Sequence, residues 1–326
     1  MRTEISQIGK VATIDKLFES TGYINQINNS FKNIGDICTS QKVYSEGIDF
    51  DLVYNPLKHL GYKSVIGMVG EIYAEFYKPI SLTVILGLSA KFSYENIAEL
   101  WEGVVAGCKE HGIKNLSLDL VPSLNGLTIN MSAIGARDDN KFDNIKAPQD
   151  FDLICLTGDV GAALMGNHVL AREKASFVDN DKQPDLSKYK FILASYLKPE
   201  INPNIVSRFL ENDLIPSKGY FLSKGLAAAV KRLVRDTHLG AKIYVEKIPI
   251  ASETFAMAKE INMDAVTAAM NGGDDYKFIF VVPVSQADKL RHDFQDYDII
   301  GHMAKPEVGA ALVTPDGMEI PIQSQE

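Results

Sequence analysis

The sequence predicts a mixed α/β protein with two domains. Its 326 residues exceed the ~250–300 residues that a single hydrophobic core usually reaches. Helix-like apolar spacing alternates with short runs of strand-forming residues along most of the chain, a pattern typical of α/β proteins. A charged, turn-rich segment over residues 137–152 interrupts this alternation. We therefore expect an N-terminal domain over residues 1–137 and a C-terminal domain over residues 150–326.

The first domain is predicted to contain three helices and four strands. The third helix has an N-cap candidate in Ser93 and a stop signal in Gly112. Trp101 falls on the inward face of that helix, so we expect it to pack in the core. The expected elements are helices over 4–20, 56–76 and 93–111, and strands over 37–50, 81–87, 116–119 and 127–134.

The second domain is predicted to open with a strand, a glycine turn and a helix. The letters LICLTGDVGA span residues 153–162, and the helix is expected to begin near Ala162. Free amides at a helix N-terminus can bind an anion, which makes Gly158 and Asp159 candidates for a phosphate site. The turn lacks the Gly-Lys-Ser/Thr ending of a P-loop, and a purely structural role remains the alternative. Later elements are expected as helices over 202–212 and 226–237 and strands over 241–248 and 278–282.

Composition narrows the class of protein. A net charge of −9 argues against a nucleic-acid-binding surface, which is normally basic. The three cysteines have no metal-ligand spacing, and we expect them to pack as small hydrophobic side chains in a reducing cytoplasm. The sequence shows no apolar run approaching the ~18 residues that a membrane helix needs. We therefore expect a cytoplasmic protein that binds neither nucleic acid nor a membrane.

A glycine-rich acidic segment is the most distinctive stretch of the sequence. The letters NGGDDYKF at 271–278 lead directly into the apolar run IFVV. Two glycines allow a sharp turn and a close approach of the backbone to a ligand, and two carboxylates follow at the start of a strand. An ordinary loop with solvated charges has the same appearance, so the segment alone leaves both interpretations open.

Several segments taken together resemble the thiamine-monophosphate kinase family of the aminoimidazole ribonucleotide synthetase-like superfamily. The similar segments are EGIDFD (46–51), HLGYKS (59–64), TGDVGAA (157–163), IPI (248–250), NGGDDY (271–276), GH (301–302) and KPEVG (305–309). The resemblance implies an N-terminal domain that dimerises, with strands joining into a barrel across the interface, and a C-terminal α/β domain beside it. It also implies a homodimer that binds its small-molecule ligands, a nucleotide and a thiamine phosphate, in clefts between the domains.

The resemblance further implies transfer of the γ-phosphoryl group of ATP to thiamine monophosphate, with ATP and Mg²⁺ as cofactors. The residues that fall at the family's nucleotide or phosphate site are Lys42, Gly158, Asp159, Ser223 and Lys224. The residues that fall at its substrate pocket are Asp49, Asn271, Gly272, Gly273, Asp275 and Tyr276. We assign no catalytic residue.

The family's metal-binding acids are largely replaced in this sequence. An ungapped comparison places them on Asn25, Gln26, Lys42, Phe221 and Lys224. Glu71 and Asp119 keep a carboxylate and are the remaining candidates for metal ligands. At ~4 Å and an effective dielectric constant of ~20, each lysine would repel a unit positive charge by ~4 kcal/mol. Two lysines would therefore oppose Mg²⁺, although they could instead hold phosphate groups directly.

These replacements favour a thiamine-monophosphate-kinase-like protein with weak or lost phosphorylation activity. Such a protein would serve as a binding protein, either as a homodimer or as a heterodimer with an active relative. The first alternative is an active kinase with a rearranged Mg²⁺ site built from Glu71, Asp119 and Asp36. The second is a different ATP-dependent reaction of the wider superfamily.

Overall fold

The computed structural model describes residues 12–13, 16–17, 19, 30–31, 37–137, 140–143, 145–180 and 186–323. The helix predicted over residues 4–20 therefore lies largely outside the described residues, although 12–13 and 16–17 are helical. Asn25, Gln26 and Asp36 also lie outside them. Within the described residues, no helix is both long enough and apolar enough to cross a membrane.

The N-terminal part forms a five-stranded sheet with two helices packed on one face. Its elements are β1 (Ser30–Phe31), β2 (Ile37–Ser45), α1 (Leu57–Ala74), β3 (Lys78–Leu88), α2 (Tyr94–Glu110), β4 (Asn115–Pro122) and β5 (Leu127–Ala136). The strand order is β1-β2-β5-β3-β4. Strands β3 and β4 pair in parallel, and the other pairs are antiparallel. The predicted helices over 56–76 and 93–111 and the strands over 81–87, 116–119 and 127–134 are confirmed, whereas the strand predicted over 37–50 ends at Ser45 and a turn follows it.

Helices α1 and α2 pack tightly because two glycines lie at their crossing. A Cβ atom at Gly61 would overlap the Leu100 carbonyl oxygen, and one at Gly103 would overlap that of Lys58. The N-cap role of Ser93 is confirmed, since its side chain accepts a hydrogen bond from the Asn96 amide and Asn96 reciprocates. This close packing fixes α1, which carries several residues of the site described below.

The opposite face of the five-stranded sheet is open in the single chain. Alternation along the strands turns one set of side chains toward the helices and the other set outward. The outward set includes apolar residues that are partly exposed: Ile37, Val43, Ile85 and Ile134, with exposed fractions of 36%, 53%, 37% and 41%. The predicted barrel across a dimer interface would cover this face, and it stays a prediction.

The C-terminal part is built on a seven-stranded mixed sheet. Its strands are β6 (Leu153–Thr157), β7 (Lys218–Phe221), β8 (Gly240–Tyr244), β9 (Phe278–Val282), β10 (Tyr297–Ala304), β11 (Ala310–Val313) and β12 (Glu319–Pro321). Its helices are α3 (Ala162–Asn180), α4 (Lys190–Leu197), α5 (Ile205–Glu211), α6 (Leu226–Thr237), α7 (Ser252–Glu260), α8 (Ala265–Asn271) and α9 (Ala287–Asp293). The strand order is β12-β11-β8-β10-β6-β9-β7. Overall, the predicted mixed α and β class is confirmed.

One hydrophobic core continues from the N-terminal sheet into the C-terminal sheet. Phe76, which ends α1 with a positive φ of 64°, packs against Phe142, Phe209 and Phe280. An ion pair between Lys218 and Glu75, the residue that follows α1, lies beside this contact. The two parts therefore share buried aromatic surface, and the proposed division at residues 137–152 stays a prediction.

Candidate functional site

A cavity of about 520 Å³ lies where β2, α1, α3, α6 and the segment after α8 meet. A cavity of this size is in the usual range for small-molecule sites. It is lined by Lys42, Tyr44, Ile48, Asp49, Phe50, Asn55, Leu60, Lys63, Ser64, Ala163, Leu164, Asn167, Tyr196, Ser223, Lys224, Ala228, Asn271, Gly273, Asp274 and Tyr276. Its ionisable lining consists of three lysines and two aspartates, which leaves one net positive charge.

The lysines enter the cavity from three different elements. Lys42 shares the inward face of β2 with the buried Tyr44, and its ammonium group lies 4.9 Å from the centre of that ring. Lys63 lies on the buried face of α1, where its ammonium group is 3.7 Å from the centre of the Tyr196 ring. Lys224 precedes the first turn of α6. The aromatic faces stabilise the two buried ammonium groups.

Lys63 also forms an ion pair with Asp274, and the separation between Nζ and the carboxylate oxygen is 2.9 Å. Burial lowers the pKa of Lys63, and Asp274 opposes that shift. Burial would raise the pKa of Asp274, but Lys63 and Lys42 outweigh it and hold the pKa of this carboxyl below its ordinary value. The carboxylate is therefore ionised at neutral pH and faces the cavity.

The segment that carries Asp274 is strained and is tied to the start of α6. Asp274 and Tyr276 have positive φ angles of 64° and 51°, which side-chain-bearing residues adopt rarely. The Asp274 amide donates to the Ser223 carbonyl at 3.2 Å. Gly225 has a φ of 95°, and a Cβ there would lie 2.7 Å from the Gly272 carbonyl oxygen. Glycine is thus required where this segment and the α6 turn touch.

Asp275, in contrast, points away from the cavity and caps α3. Its carboxylate accepts hydrogen bonds from the Gly161 amide at 2.8 Å and the Ala163 amide at 3.2 Å. Burial raises the pKa of Asp275 to about 7, while these two hydrogen bonds oppose the shift. The predicted anion cradle at the start of α3 is therefore filled by the chain's own carboxylate. Gly158 and Asp159 do not line the cavity.

Glu71 and Phe221 lie side by side below the cavity, at the contact between α1 and the C-terminal sheet. The Glu71 carboxylate lies 3.5 Å from an Arg232 guanidinium nitrogen and accepts from the Ser223 hydroxyl at 3.5 Å. Burial raises the pKa of Glu71, and Arg232 opposes this. The Phe221 ring fills the space above Gly70, where a Cβ atom would overlap it. A hydrophobic contact thus occupies the position at which the sequence comparison expects a metal-binding aspartate.

Asp119 is not brought together with Glu71 within one chain. It pairs with Ile85 across β3 and β4, and Ile85 points to the open face of the sheet. Glu71 belongs to α1, which packs on the other face. The Asp119 carboxylate accepts from the Leu120 amide at 2.8 Å and is exposed to solvent. The two candidate metal ligands therefore lie on opposite sides of the sheet.

The cavity as built does not fit Mg²⁺. Of the nearby carboxylates, Asp274 is paired with Lys63, Asp275 with two amides, Glu71 with Arg232, and Asp49 accepts from the Ser45 amide at 2.8 Å. Three ammonium groups line the same space. Over the described residues, no group of three or more His, Cys, Asp and Glu side chains is arranged to hold a metal ion. Mg²⁺ is usually bound through one or two carboxylates together with water and substrate phosphates, and the carboxylates named here are already engaged by cations or amides.

Seven of the residues proposed from the sequence line the cavity: Lys42, Asp49, Ser223, Lys224, Asn271, Gly273 and Tyr276. Gly272 and Asp275 are adjacent to it but do not line it. Sequence reasoning missed Lys63 and Asp274, which form an ion pair in its lining. A lysine on the apolar face of α1 is an unusual choice, and that pattern could have identified Lys63.

Comparisons with known proteins agree with this architecture. The family described as AIR synthase related protein, N-terminal domain, matches residues 29–136. The thiamine-monophosphate kinase of Methanospirillum hungatei is 23% identical over 287 residues, covering 88% of this chain and 87% of the relative. That of Rhodopirellula baltica is 22% identical over 250 residues, covering 77% of this chain and 69% of the relative.

Solved structures show the same fold over nearly the whole chain. The structure of AaThiL complexed with AMPPCP and TMP has a TM-score of 0.82 at 17% identity and covers 98% of this chain and 97% of that one. A chain of the HypE–HypF complex has a TM-score of 0.70 at 17% identity, with coverages of 96% and 99%. These similarities confirm the predicted AIR synthase-like fold.

Residues 29–136 thus match the AIR synthase-related N-terminal domain, and the whole chain shares the fold of the solved structures above. Over most of its length the chain is similar to thiamine-monophosphate kinases, at 22–23% identity to the two relatives above.

Proposed function

We propose that the protein binds a phosphorylated small molecule in this cavity without a metal ion and that its phosphoryl-transfer activity is weak or lost. The observation that carries the proposal is the replacement of acids by lysines in the cavity. Lys42 and Lys224 stand where the family resemblance places aspartates, and Lys63 adds a third ammonium group. Ammonium groups bind phosphate oxygens directly through charge-assisted hydrogen bonds.

The rest of the lining suits a ligand that carries a ring beside its phosphate. Three tyrosines supply apolar surface, and three asparagines supply hydrogen-bonding groups: Tyr44, Tyr196, Tyr276, Asn55, Asn167 and Asn271. The Asn167 side-chain oxygen is buried without a hydrogen-bond partner, so a ligand could satisfy it. The AaThiL structure contains AMPPCP and TMP, which makes a nucleotide and thiamine monophosphate the first ligands to test.

Loss of phosphoryl transfer is supported by the engaged carboxylates. Transfer from ATP to a second phosphate brings together two anionic groups, and that requires neutralisation by positioned cations, usually Mg²⁺. Among the described residues, the Phe221 ring and the ion-paired Glu71 leave no open set of oxygen ligands beside the cavity. The lysines can hold a bound phosphate, but they do not replace a metal that bridges two reacting phosphates.

Two assays on the purified protein test the proposal together. The first measures thiamine diphosphate formation from ATP and thiamine monophosphate across a Mg²⁺ titration, and we expect no product above the protein-free background. The second measures binding of each ligand by isothermal titration calorimetry in EDTA, and we expect binding of thiamine monophosphate. Absence of binding under all conditions would contradict the proposal.

An active kinase is the alternative outcome of the same experiment. Turnover that depends on Mg²⁺ and disappears in Glu71→Gln and Asp119→Asn would show that a rearranged metal site works, and it would overturn the proposed loss of activity. Because these two carboxylates lie on opposite faces of the sheet, such a site would need both chains of a dimer. Thermal unfolding of each variant controls for misfolding.

We also propose that the open face of the N-terminal sheet forms a dimer interface, with a second copy or with an active relative. The support is the partly exposed apolar residues on that face, including Val43, Ile85 and Ile134. The mass in solution, measured by light scattering after size exclusion, tests this proposal. We expect a dimer for the wild type and a monomer for Ile85→Lys, whereas an unchanged mass of the variant would contradict it. Phe255→Lys, at an exposed position on α7, is the matched control and should remain dimeric.

A further inference from the structure

The wall of the cavity already carries an anion that belongs to the protein. The Asp274 carboxylate lines the cavity and lies 2.9 Å from the Lys63 ammonium nitrogen. Lys42 and Lys224 act electrostatically on the same carboxylate, and both line the cavity as well. A phosphate group that enters the cavity therefore meets three ammonium groups and two carboxylates, and one of these, Asp274, is paired with Lys63.

We propose that Asp274 is an internal counter-anion that sets the charge selectivity of this cavity, so that the site takes phosphate monoesters in preference to metal-free nucleoside triphosphates. This inference rests on the proposed binding function. The lining carries only one net positive charge, because Asp274 and Asp49 offset two of the three lysines. A ligand with one or two negative charges nearly balances the single net positive charge of the lining, whereas a ligand with four leaves most of its charge unbalanced.

The backbone around Asp274 supports a functional reason for this carboxylate. Asp274 has a φ of 64°, a conformation that glycine or asparagine adopts at least as easily. Its backbone amide holds the segment to the Ser223 carbonyl whatever the side chain is. An aspartate at this position therefore contributes its charge at the cavity and is not needed for the turn.

The substitution Asp274→Asn removes the charge and keeps the shape. Asparagine is nearly the same size and tolerates a positive φ, so the segment should keep its conformation. The substitution leaves Lys63 without the carboxylate that opposes the lowering of its pKa by burial, and a bound anion would take over that role. Asp288→Asn is the matched control, since Asp288 is a fully exposed residue on α9, far from the cavity lining.

The test measures dissociation constants for inorganic phosphate, pyrophosphate and tripolyphosphate in EDTA. For Asp274→Asn we expect tighter binding of phosphate, by about tenfold, because a like charge within a few ångströms is removed. We expect a larger factor for pyrophosphate and a still larger one for tripolyphosphate, because the repulsion that is removed scales with ligand charge. The wild type should gain little affinity along the series.

The pattern of the gains separates this inference from other roles of Asp274. The same factor for all three anions would indicate a loosened cavity, and weaker binding by the variant would indicate that Asp274 contacts the ligand. Either result would overturn the inference while leaving the proposed binding function in place. Failure of the wild type to bind thiamine monophosphate would instead overturn the binding function. If Asp274→Asn folds poorly, the dissociation constants of the wild type for phosphate, pyrophosphate and tripolyphosphate test the inference alone. A steep rise of affinity from phosphate to tripolyphosphate would contradict selectivity for ligands of low charge.

Discussion

Helices α3 and α6 begin at the same cleft, but only the N-terminus of α3 is capped by a carboxylate of the protein. At α3, the Gly161 and Ala163 amides are occupied by the Asp275 carboxylate, which belongs to a segment 114 residues away from Gly161. At α6, the N-cap is Gly225, no side chain caps the helix, and the preceding Lys224 lines the cavity. Both turns have a strand before them and a glycine with positive φ within them.

The difference shows that a strand–glycine–helix turn does not by itself make an anion site. Such a turn can bind an external anion only if no carboxylate of the protein already caps the helix N-terminus. The two neighbouring aspartates have different partners. Asp275 accepts hydrogen bonds from the N-terminus of α3, and Asp274 is paired with Lys63. The start of α3 is therefore structural, and the turn in front of α6 is the one that lines the cavity and that we propose for the ligand.

Removing the carboxylate at α3 should break this arrangement most severely. In Asp275→Ala, two amides at the start of α3 lose their acceptor in a buried position, and we expect a loss of about 3 kcal/mol in the free energy of unfolding. Urea denaturation measures it. Asp264→Ala, which removes the exposed N-cap of α8, is the matched control and should cost about 1 kcal/mol. Equal costs for the two variants would contradict the buried capping role.

The contact that holds the α6 turn against α1 should be the next most sensitive. A methyl group at Gly70 would overlap the Phe221 ring, so Gly70→Ala should cost about 2 kcal/mol despite the better helix propensity of alanine. Gly87→Ala in β3 meets only ordinary contacts and is the control. In the Phe221→Leu background the Gly70 substitution should become nearly neutral, and a cost that persists there would exclude the ring as its cause.

The pH dependence of stability tests the environment of Asp275. Its pKa is raised by burial to about 7 from an ordinary value of 3.8, so the folded state keeps a proton that the unfolded state releases between these values. Stability should therefore fall as pH rises through this window, by at most about 1.4 kcal/mol per pH unit. Asp275→Asn should lack this component. If the wild type instead became more stable relative to Asp275→Asn as pH rises, the two amide hydrogen bonds would lower the pKa of Asp275 by more than burial raises it.

A matched pair of lysines sharpens the comparison on the ligand side. Lys224→Gln, beside the α6 turn, should weaken binding of thiamine monophosphate in EDTA about tenfold, because one charge-assisted contact is lost. Lys277 lies beside Gly158 at the α3 turn and does not line the cavity, so Lys277→Gln should leave the affinity unchanged. Calorimetry measures the affinity of both variants for thiamine monophosphate. Equal losses of affinity would mean that long-range charge, and not a direct contact at the α6 turn, governs binding.

Sequence reasoning reached most of the fold where elements are long. The helix over residues 226–237 and the strand over 278–282 were predicted at their observed bounds, because their apolar patterns are strong. Helices α4, α7, α8 and α9 were missed. They span 7–9 residues, too few turns for apolar periodicity to stand out.

The site was only partly predictable because it depends on backbone conformation and on distant contacts. The segment NGGDDY was identified, but which of its two aspartates faces the cavity depends on the positive φ of Asp274. No local pattern reveals that Asp275 reaches the start of α3. Lys63 was overlooked because its partner lies on another element, more than two hundred residues along the chain.

Binding of thiamine monophosphate with and without Mg²⁺ tests the central claim most directly. Calorimetry on the wild-type protein in EDTA, repeated with Mg²⁺ in excess, should give dissociation constants that agree within about twofold, because the lysines supply the positive charge. Binding that appears only with Mg²⁺ would contradict the claim. It would show that the protein still assembles a metal site despite the lysines in its cavity.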